Sequence, residues 1–255
     1  MLLALDVGNT SITVGLLRGG RLAGRGQIAT GKPGVAGEYR KGLKRLLREL
    51  KVPPGRIEGV VISSVVPRAT AALKTALRGL VRPKPLVMGE NVKAPVINRY
   101  RVPRQVGQDR LVNAAAARAF YGGPAIVVDF GTAVTIDLVS RRGEYMGGLI
   151  VPGLEIALEA LADRTALLPR IGLTPPREFL GRDTRTSMSS GLFHGYGALC
   201  DGLVASMKRL HAPRARVIAT GGHARMIAPF CRSIRVVDPD LTLRGLCLIY
   251  RQHSC

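Results

Sequence analysis

Leu2–Leu5 is an unbroken apolar run, and beyond Asp6–Ser11 the chain resumes with Ile12, Val14 and Leu16 alternating with Thr13 and Gly15. That pattern predicts a buried strand, a tight turn and a half-buried strand. Gly8 and Asn9 suit the positive φ of a tight hairpin, which is expected to gather Asp6, Asn9 and Thr10 at one tip. The pattern returns over 125–139. Ala125–Val128 is apolar, Asp129, Gly131 and Thr132 take the turn, and Val134, Ile136 and Leu138 alternate after it. A single Asp-x-Gly turn is common for turn reasons alone; two on buried strand pairs, about half a chain apart, predict a duplicated domain.

Between and after the hairpins the periodicity switches repeatedly. Arg21–Thr30 reads as a third strand, Gly31–Gly37 as a loop, and Glu38–Lys51 as an amphipathic helix with Leu43, Leu46, Leu47 and Leu50 on one face. Ile57–Val66 is a predicted strand, Ala69–Leu80 a helix and Leu86–Met88 a short strand. The polar segment Asn98–Arg110 leads into an alanine-rich helix over Leu111–Tyr121. Gly147-Gly148 is expected ahead of a short strand and Pro152-Gly153 ahead of a helix over Leu154–Asp163. Leu167–Pro176 is a proline-rich loop, and the polar loop Gly181–Gly191 opens a helix through Leu210 with Thr184 near its start. Arg216–Ala219 is a strand ending in Thr220-Gly221-Gly222, a turn that lets a ligand approach the backbone. Val236–Asp238 and a helix over Leu243–Tyr250 close the pattern. Alternating strands and helices define an α/β protein with mixed sheets.

Composition narrows this picture only in part. With 255 residues, 46% of them hydrophobic, the chain can bury one large core or two small ones. No apolar run has the length of a membrane span, and none resembles a secretory leader. Cys200, Cys231, Cys247 and Cys255 form no metal-binding spacing and read as thiols of a reducing cytoplasm. The net charge of +21 invites a nucleic-acid partner. Its basic residues are spread out, however, and at 4% aromatic content few stacking platforms exist. An arginine-rich surface that attracts anionic small molecules is the preferred reading.

Candidate chemistry follows from the two turns. A carboxylate at Asp6 can hold a metal-bound phosphate, while backbone N–H groups and the Thr10 and Ser11 hydroxyls reach phosphate oxygens. Asp109 and Arg110 fall at a helix start, where an anion is favoured. They read equally as an ordinary first-turn acid with a solvated arginine, or as a general base beside an anion-binding guanidinium.

Taken together, these residues resemble the type III pantothenate kinases of the actin-like ATPase superfamily. The resemblance rests on Asp6–Thr10 (DVGNT), on Asn98, Tyr100 and Pro103 leading to Gly107, Asp109 and Arg110, and on Asp129, Gly131, Thr132, Ala133, Thr135 and Asp137. It continues through Gly147-Gly148, Pro152-Gly153, Thr165-Ala166, Leu168-Pro169, Thr184 and Thr220-Gly221-Gly222. Their order and spacing span nearly the whole chain. One departure is Leu111, where the family commonly has tryptophan.

The resemblance implies duplicated actin-like (ribonuclease H-like) domains, divided as 1–117 and 118–255, the second also bearing dimer contacts. It implies ATP-dependent phosphorylation of pantothenate, the first step towards coenzyme A. The ATP site would comprise Asp6, Val7, Gly8, Asn9, Thr10, Ser11, Ile12, Thr13 and Thr132. The pantothenate site would comprise Tyr100, Gly107, Gln108, Asp109, Arg110 and Thr184, with Asp109 as general base. Asp6 would lie near Mg2+ or another divalent cation, and Asp129 would bind K+ or NH4+. A cytoplasmic homodimer without membrane or nucleic-acid partners is expected. The alternative is a non-catalytic regulator of the same fold, as Bvg accessory factors were first described. Another superfamily enzyme, such as a sugar kinase or a polyphosphate phosphatase, fits the Tyr100–Arg110 segment less well.

Overall fold

The computed structural model describes residues 1–31 and 35–254. Part of the expected Gly31–Gly37 loop (32–34) and Cys255 lie outside the described residues. The chain forms two compact units. The first takes Met1–Val96, Val102–Ala116 and the C-terminal segment from Leu241; the second takes Ile97–Arg101 and Ala117–Asp240.

The first unit is built on strands β1 (Leu2–Val7), β2 (Ser11–Arg18), β3 (Arg21–Ala29), β4 (Gly59–Ser64) and β5 (Leu86–Val87), in the order β3-β2-β1-β4-β5. β1 pairs antiparallel with β2 and parallel with β4. The expected strand and helix of residues 38–66 both appear, the helix as α1 (Ala36–Glu49), with α2 (Pro67–Arg78) following β4. Alternation divides β1 cleanly. Leu3, Leu5 and Val7 join Leu43 and Leu47 of α1 and Leu73 of α2 in one core, while Leu2 and Ala4 face the other way.

That second face is covered by the C-terminal helix α7 (Leu241–Ser254), whose Leu243, Leu246, Cys247 and Ile249 pack with Leu2, Ala4, Leu17 and Val61. The expected division at 117/118 therefore differs from the packing in this helix, which belongs to the first unit and not the second. The apolar stripe of α7 required a buried surface, and the uncovered face of β1 and β4 supplies it. The boundary itself falls inside α3 (Gln108–Tyr121), after Ala116. The start of α3 is tied to α7 by the Thr242 hydroxyl donating to Asn113 Oδ1 at 2.8 Å. A Cβ on Gly245 would stand only 2.8 Å from Val112 Cγ1, so glycine permits that close crossing.

The second unit repeats the scheme with β6 (Ala125–Phe130), β7 (Ala133–Val139), β8 (Tyr145–Pro152), β9 (Arg216–Thr220) and β10 (Val236–Val237), in the order β10-β9-β6-β7-β8. Read from the β8 edge, this is the topology of the first sheet. β6 pairs antiparallel with β7 and parallel with β9. Ile126, Val128 and Phe130 form its core with Leu154 and Leu158 of α4 (Leu154–Arg164), Phe193 and Val204 of α5 (Thr184–Leu210), and Ile227 of the short helix α6 (Ala224–Ile227).

Three expectations change in detail. Gly147-Gly148 lies inside β8, because the β7 partner continues past it, with Gly148 opposite Asp137. The polar loop ends at Thr184, where an Asp183–Thr186 capping box starts α5. Among the described residues neither Gly8 nor Asn9 has positive φ. The loop after Val7 is long enough to close through the Gly8 N–H and the Ser11 carbonyl at 3.0 Å without a left-handed residue. Among the described residues no helix is long and apolar enough to cross a membrane.

Leu246 is wholly buried beneath the first sheet. Leu246→Ala is expected to lower the free energy of unfolding by about 2–5 kcal/mol, read from urea denaturation.

Candidate active site

The first unit carries one candidate phosphate hairpin. Asp6 is half-buried one residue before the end of β1, in register with Thr13 on β2 and Ser63 on β4. Asn9 and Thr10 are exposed at the tip. The hairpin is braced from behind: Thr30 donates its hydroxyl to the Gly8 carbonyl at 2.7 Å and its N–H to the Thr10 carbonyl at 3.0 Å. Val7 and Ile12 send their side chains into the core, so only their backbone can meet a ligand.

The segment Gly107–Arg110 reaches the same end of this sheet. Asp109 and Arg110 are inside the first turn of α3, which begins at Gln108. A Cβ on Gly107 would overlap Asp109 Oδ1 and stand 3.6 Å from Val65 Cγ1, just past the C-terminal end of β4. Gly89, which follows β5 with φ +80, packs against the Gln108 side chain. Asp109 thus lies at the C-terminal ends of the parallel strands, where open α/β sheets bind their ligands. Asp109 is half-buried, and its Oδ1 accepts the Arg110 N–H at 2.9 Å, which fixes the carboxylate against the helix start. Arg110 is 7% exposed, which disagrees with the solvated arginine of one of the two readings left open, and it is engaged by neighbouring groups.

The second unit carries the other hairpin. Asp129 is half-buried in the same position on β6, in register with Thr135 on β7 and Thr220 on β9. Thr132 is exposed at the tip, and its carbonyl accepts the Gly153 N–H at 3.0 Å, which locks the tip to the start of α4. A Cβ on Gly153 would overlap that carbonyl.

Tyr100 is attached to β8. The Arg99 N–H donates to the Tyr145 carbonyl at 2.8 Å, and the Arg99 guanidinium grips Glu144 Oε1 through Nε and Nη2 at 2.9 and 2.6 Å. The Tyr100 ring lies over Gly147, where a Cβ would come within 3.5 Å, and 6.3 Å from the Tyr145 ring. Tyr145 in turn donates its hydroxyl to buried Asp137 at 2.9 Å, and Thr135 donates to the same carboxylate at 3.2 Å. Tyr100 and Asp129 are therefore linked within one unit. Thr184 is exposed as the first residue of α5. The neighbouring cavity of about 570 Å³ is lined by Asp183, Arg185 and Thr186, and Thr184 is not among its walls.

Ser63 escaped the motif reading, and Thr220 entered it only through its turn with Gly221-Gly222. Ser63 and Thr220 are each wholly buried, each beside a hairpin aspartate, and neither hydroxyl has a hydrogen-bond partner. No local pattern marks their pairing with the aspartates, because those neighbours come from distant strands. Among the described residues no group of three His, Cys, Asp or Glu could hold a metal.

Two half-buried carboxylates at the ends of twin mixed sheets, each beside a hydroxyl-bearing hairpin, mark the duplicated actin-like fold. A ROK hexokinase from Thermus thermophilus has this fold, with a TM-score of 0.53 at 15% identity, 99% of each chain being covered. So does a protein from Campylobacter jejuni described as a Baf family transcriptional activator, with a TM-score of 0.58 at 18% identity over 99% of this chain and 98% of that one. The family model for type III pantothenate kinase matches residues 2–206. A type III pantothenate kinase of Moorella thermoacetica is 42% identical over 100% of both chains. The chain belongs to the type III pantothenate kinase family.

The Arg99 grip holds the Glu144 carboxyl below the usual glutamate range, through hydrogen bonds from Arg99 first and Ser140 second. A depressed pKa in the folded state stabilises above the ordinary glutamate value and is lost as pH falls through the lowered one. In Arg99→Ala the Glu144 pKa is expected to rise towards its ordinary value in a carboxyl-carbon NMR titration. Overall stability should change little, since the Arg99 side chain is 55% exposed and solvent screens the pair.

Proposed function

We propose that this chain transfers the γ-phosphoryl group of ATP to the primary hydroxyl of pantothenate, with Asp109 as the base. The observation that carries the reading is the half-buried Asp109 carboxylate, oriented by the Arg110 N–H at the sheet end that also bears Asp6. The hydroxyl oxygen forms the new bond to phosphorus, the bond to the bridging oxygen of ADP breaks, and the hydroxyl proton passes to Asp109. Such a transfer needs positioning and charge neutralisation more than covalent help. The residues Asp6–Thr13 and Thr132 contact ATP, with Val7 and Ile12 acting through backbone alone.

Asp6 holds the divalent cation that accompanies the phosphates, and that ion supplies charge neutralisation when bound. The hard oxygen set of Asp6 and buried Ser63 suits it. Asp129 holds a monovalent cation, K+ or NH4+. Tyr100, Gly107, Gln108, Arg110 and Thr184 contact pantothenate, whose carboxylate gives Arg110 a counter-charge. Exposed apolar side chains on the edge strand β8 (Met146, Leu149 and Ile150) and on α4 (Ile156 and Leu161) support a homodimer formed through the second unit. The cytoplasm, with its ATP and reduced thiols, is the compartment this chemistry needs.

A second reading, a regulator of the same fold, is favoured by one observation, the charge of +21. Folded protein is expected to release ADP only when pantothenate, MgATP and potassium or ammonium are all present, with sodium a poor substitute. Asp109→Asn is expected to lower turnover by about 10²–10⁴-fold while leaving the melting transition intact. Near-normal turnover in Asp109→Asn would remove it as base. Absence of turnover in wild-type protein, together with salt-dependent DNA binding, would move the function to the regulator.

A further inference from the structure

The two sheets share more than their hairpins. In the second, Asp129 on β6 stands in register with Thr135 on β7 and Thr220 on β9. Alternation sends all three to the face opposite the core residues Val128, Val134 and Ala219. Thr135 donates its hydroxyl to Asp137 at 3.2 Å. Thr220 is 0% exposed, and its Oγ1 has no partner. A buried hydroxyl without a partner is costly, and a native fold that keeps one has a reason for it, commonly a water or an ion.

The next residue narrows the choice. Gly221 has φ +95, and a Cβ there would overlap Asp129 Oδ1 and the Phe130 backbone. The Asp129 carboxylate therefore leans over Gly221, towards the strand that carries Thr220. The first sheet builds the same row. Asp6 is in register with Thr13 and Ser63, and Ser63 is also 0% exposed with an unpartnered Oγ. A packing accident would not place an unpartnered hydroxyl at one register position in both halves.

We propose that Thr220 Oγ1 is a second protein ligand of the monovalent cation at Asp129, with Gly221 keeping open the space into which the carboxylate leans. This rests on reading Asp129 as that ion's carboxylate. A large, singly charged ion is well served by neutral oxygens, which replace its hydration shell without adding charge. The lone pairs of a hydroxyl meet that need. A valine of the same shape does not.

The test uses the full chain and the ion itself, with no turnover involved. The melting midpoint is followed against KCl at constant ionic strength, balanced with choline chloride, and thallium(I) binding is measured by equilibrium dialysis. Wild-type protein is expected to gain stability in a saturable way. Thr220→Val should need on the order of tenfold more potassium, whereas Thr220→Ser stays within about twofold. Without potassium, Thr220→Val should melt no lower than wild type, since its unpaired hydroxyl is gone. Thr220→Ala carries the same expectation for potassium and guards against a folding defect in the valine variant. A Thr220→Val curve that superimposes on wild type, while Asp129→Asn loses the response, overturns the Thr220 ligand and leaves the Asp129 reading standing. A normal response in Asp129→Asn, or wild-type protein indifferent to potassium, overturns both.

Discussion

The chemistry of this chain depends on the register of two central strands. β1 and β6 each run antiparallel to a hairpin partner and parallel to a strand that arrives from far along the sequence. That mixed pairing brings three things to one edge of each sheet: the end of the central strand, the turn that follows it and the end of the parallel neighbour. An aspartate one residue before the strand's end stands on that edge, half-buried, with apolar residues behind it and the turn's polar groups beside it. A slip of one residue would drive Asp6 into the Leu3–Leu5–Val7 core and turn those side chains to the face that Leu2 and Ala4 pack under α7. Burial of those side chains, worth about 1.5–3 kcal/mol each, therefore also fixes the aspartate.

This explains which parts were legible in the sequence. The hairpins were, because buried strands declare themselves by apolar runs and alternation within ten residues or so. The partners across the sheet were not. Ser63 and Thr220 matter through register with strands far away in sequence, and no local pattern encodes that pairing. The home of α7 was hidden for a related reason: an amphipathic stripe states that a face is covered without stating by which sheet. The positive φ expected at Gly8 and Asn9 failed because a turn of four residues closes with ordinary backbone angles. The motif reading did point to Gly107, Gly147 and Gly221, yet their reason is spatial. Gly107 and Gly221 leave room for the Asp109 and Asp129 carboxylates, while Gly147 takes φ +114 beneath the Tyr100 ring.

Charge acquires a narrower meaning beside this geometry. ATP and pantothenate are both anions, so an arginine-rich surface raises their local concentration without contacting either in the site. Arg110 plays a different part. It is buried at the start of α3, and its N–H orients Asp109 whatever its guanidinium does. A side-chain substitution there keeps that backbone N–H, so it removes the guanidinium while the tie to Asp109 remains.

The halves share a frame and differ at its tips. The first hairpin offers Asn9, Thr10 and Ser11 beyond Gly8, a loop rich in donors and braced by Thr30. The second is shorter, with Thr132 held to the start of α4 through Gly153. A donor-rich loop suits several phosphate oxygens, whereas a short, locked one suits a single contact at fixed position. The row beneath the tips has not diverged in this way: hydroxyl, aspartate and threonine stand at matching registers in both sheets. A frame whose loops vary while its polar row stays the same separates what each hairpin presents from the register that both sheets share.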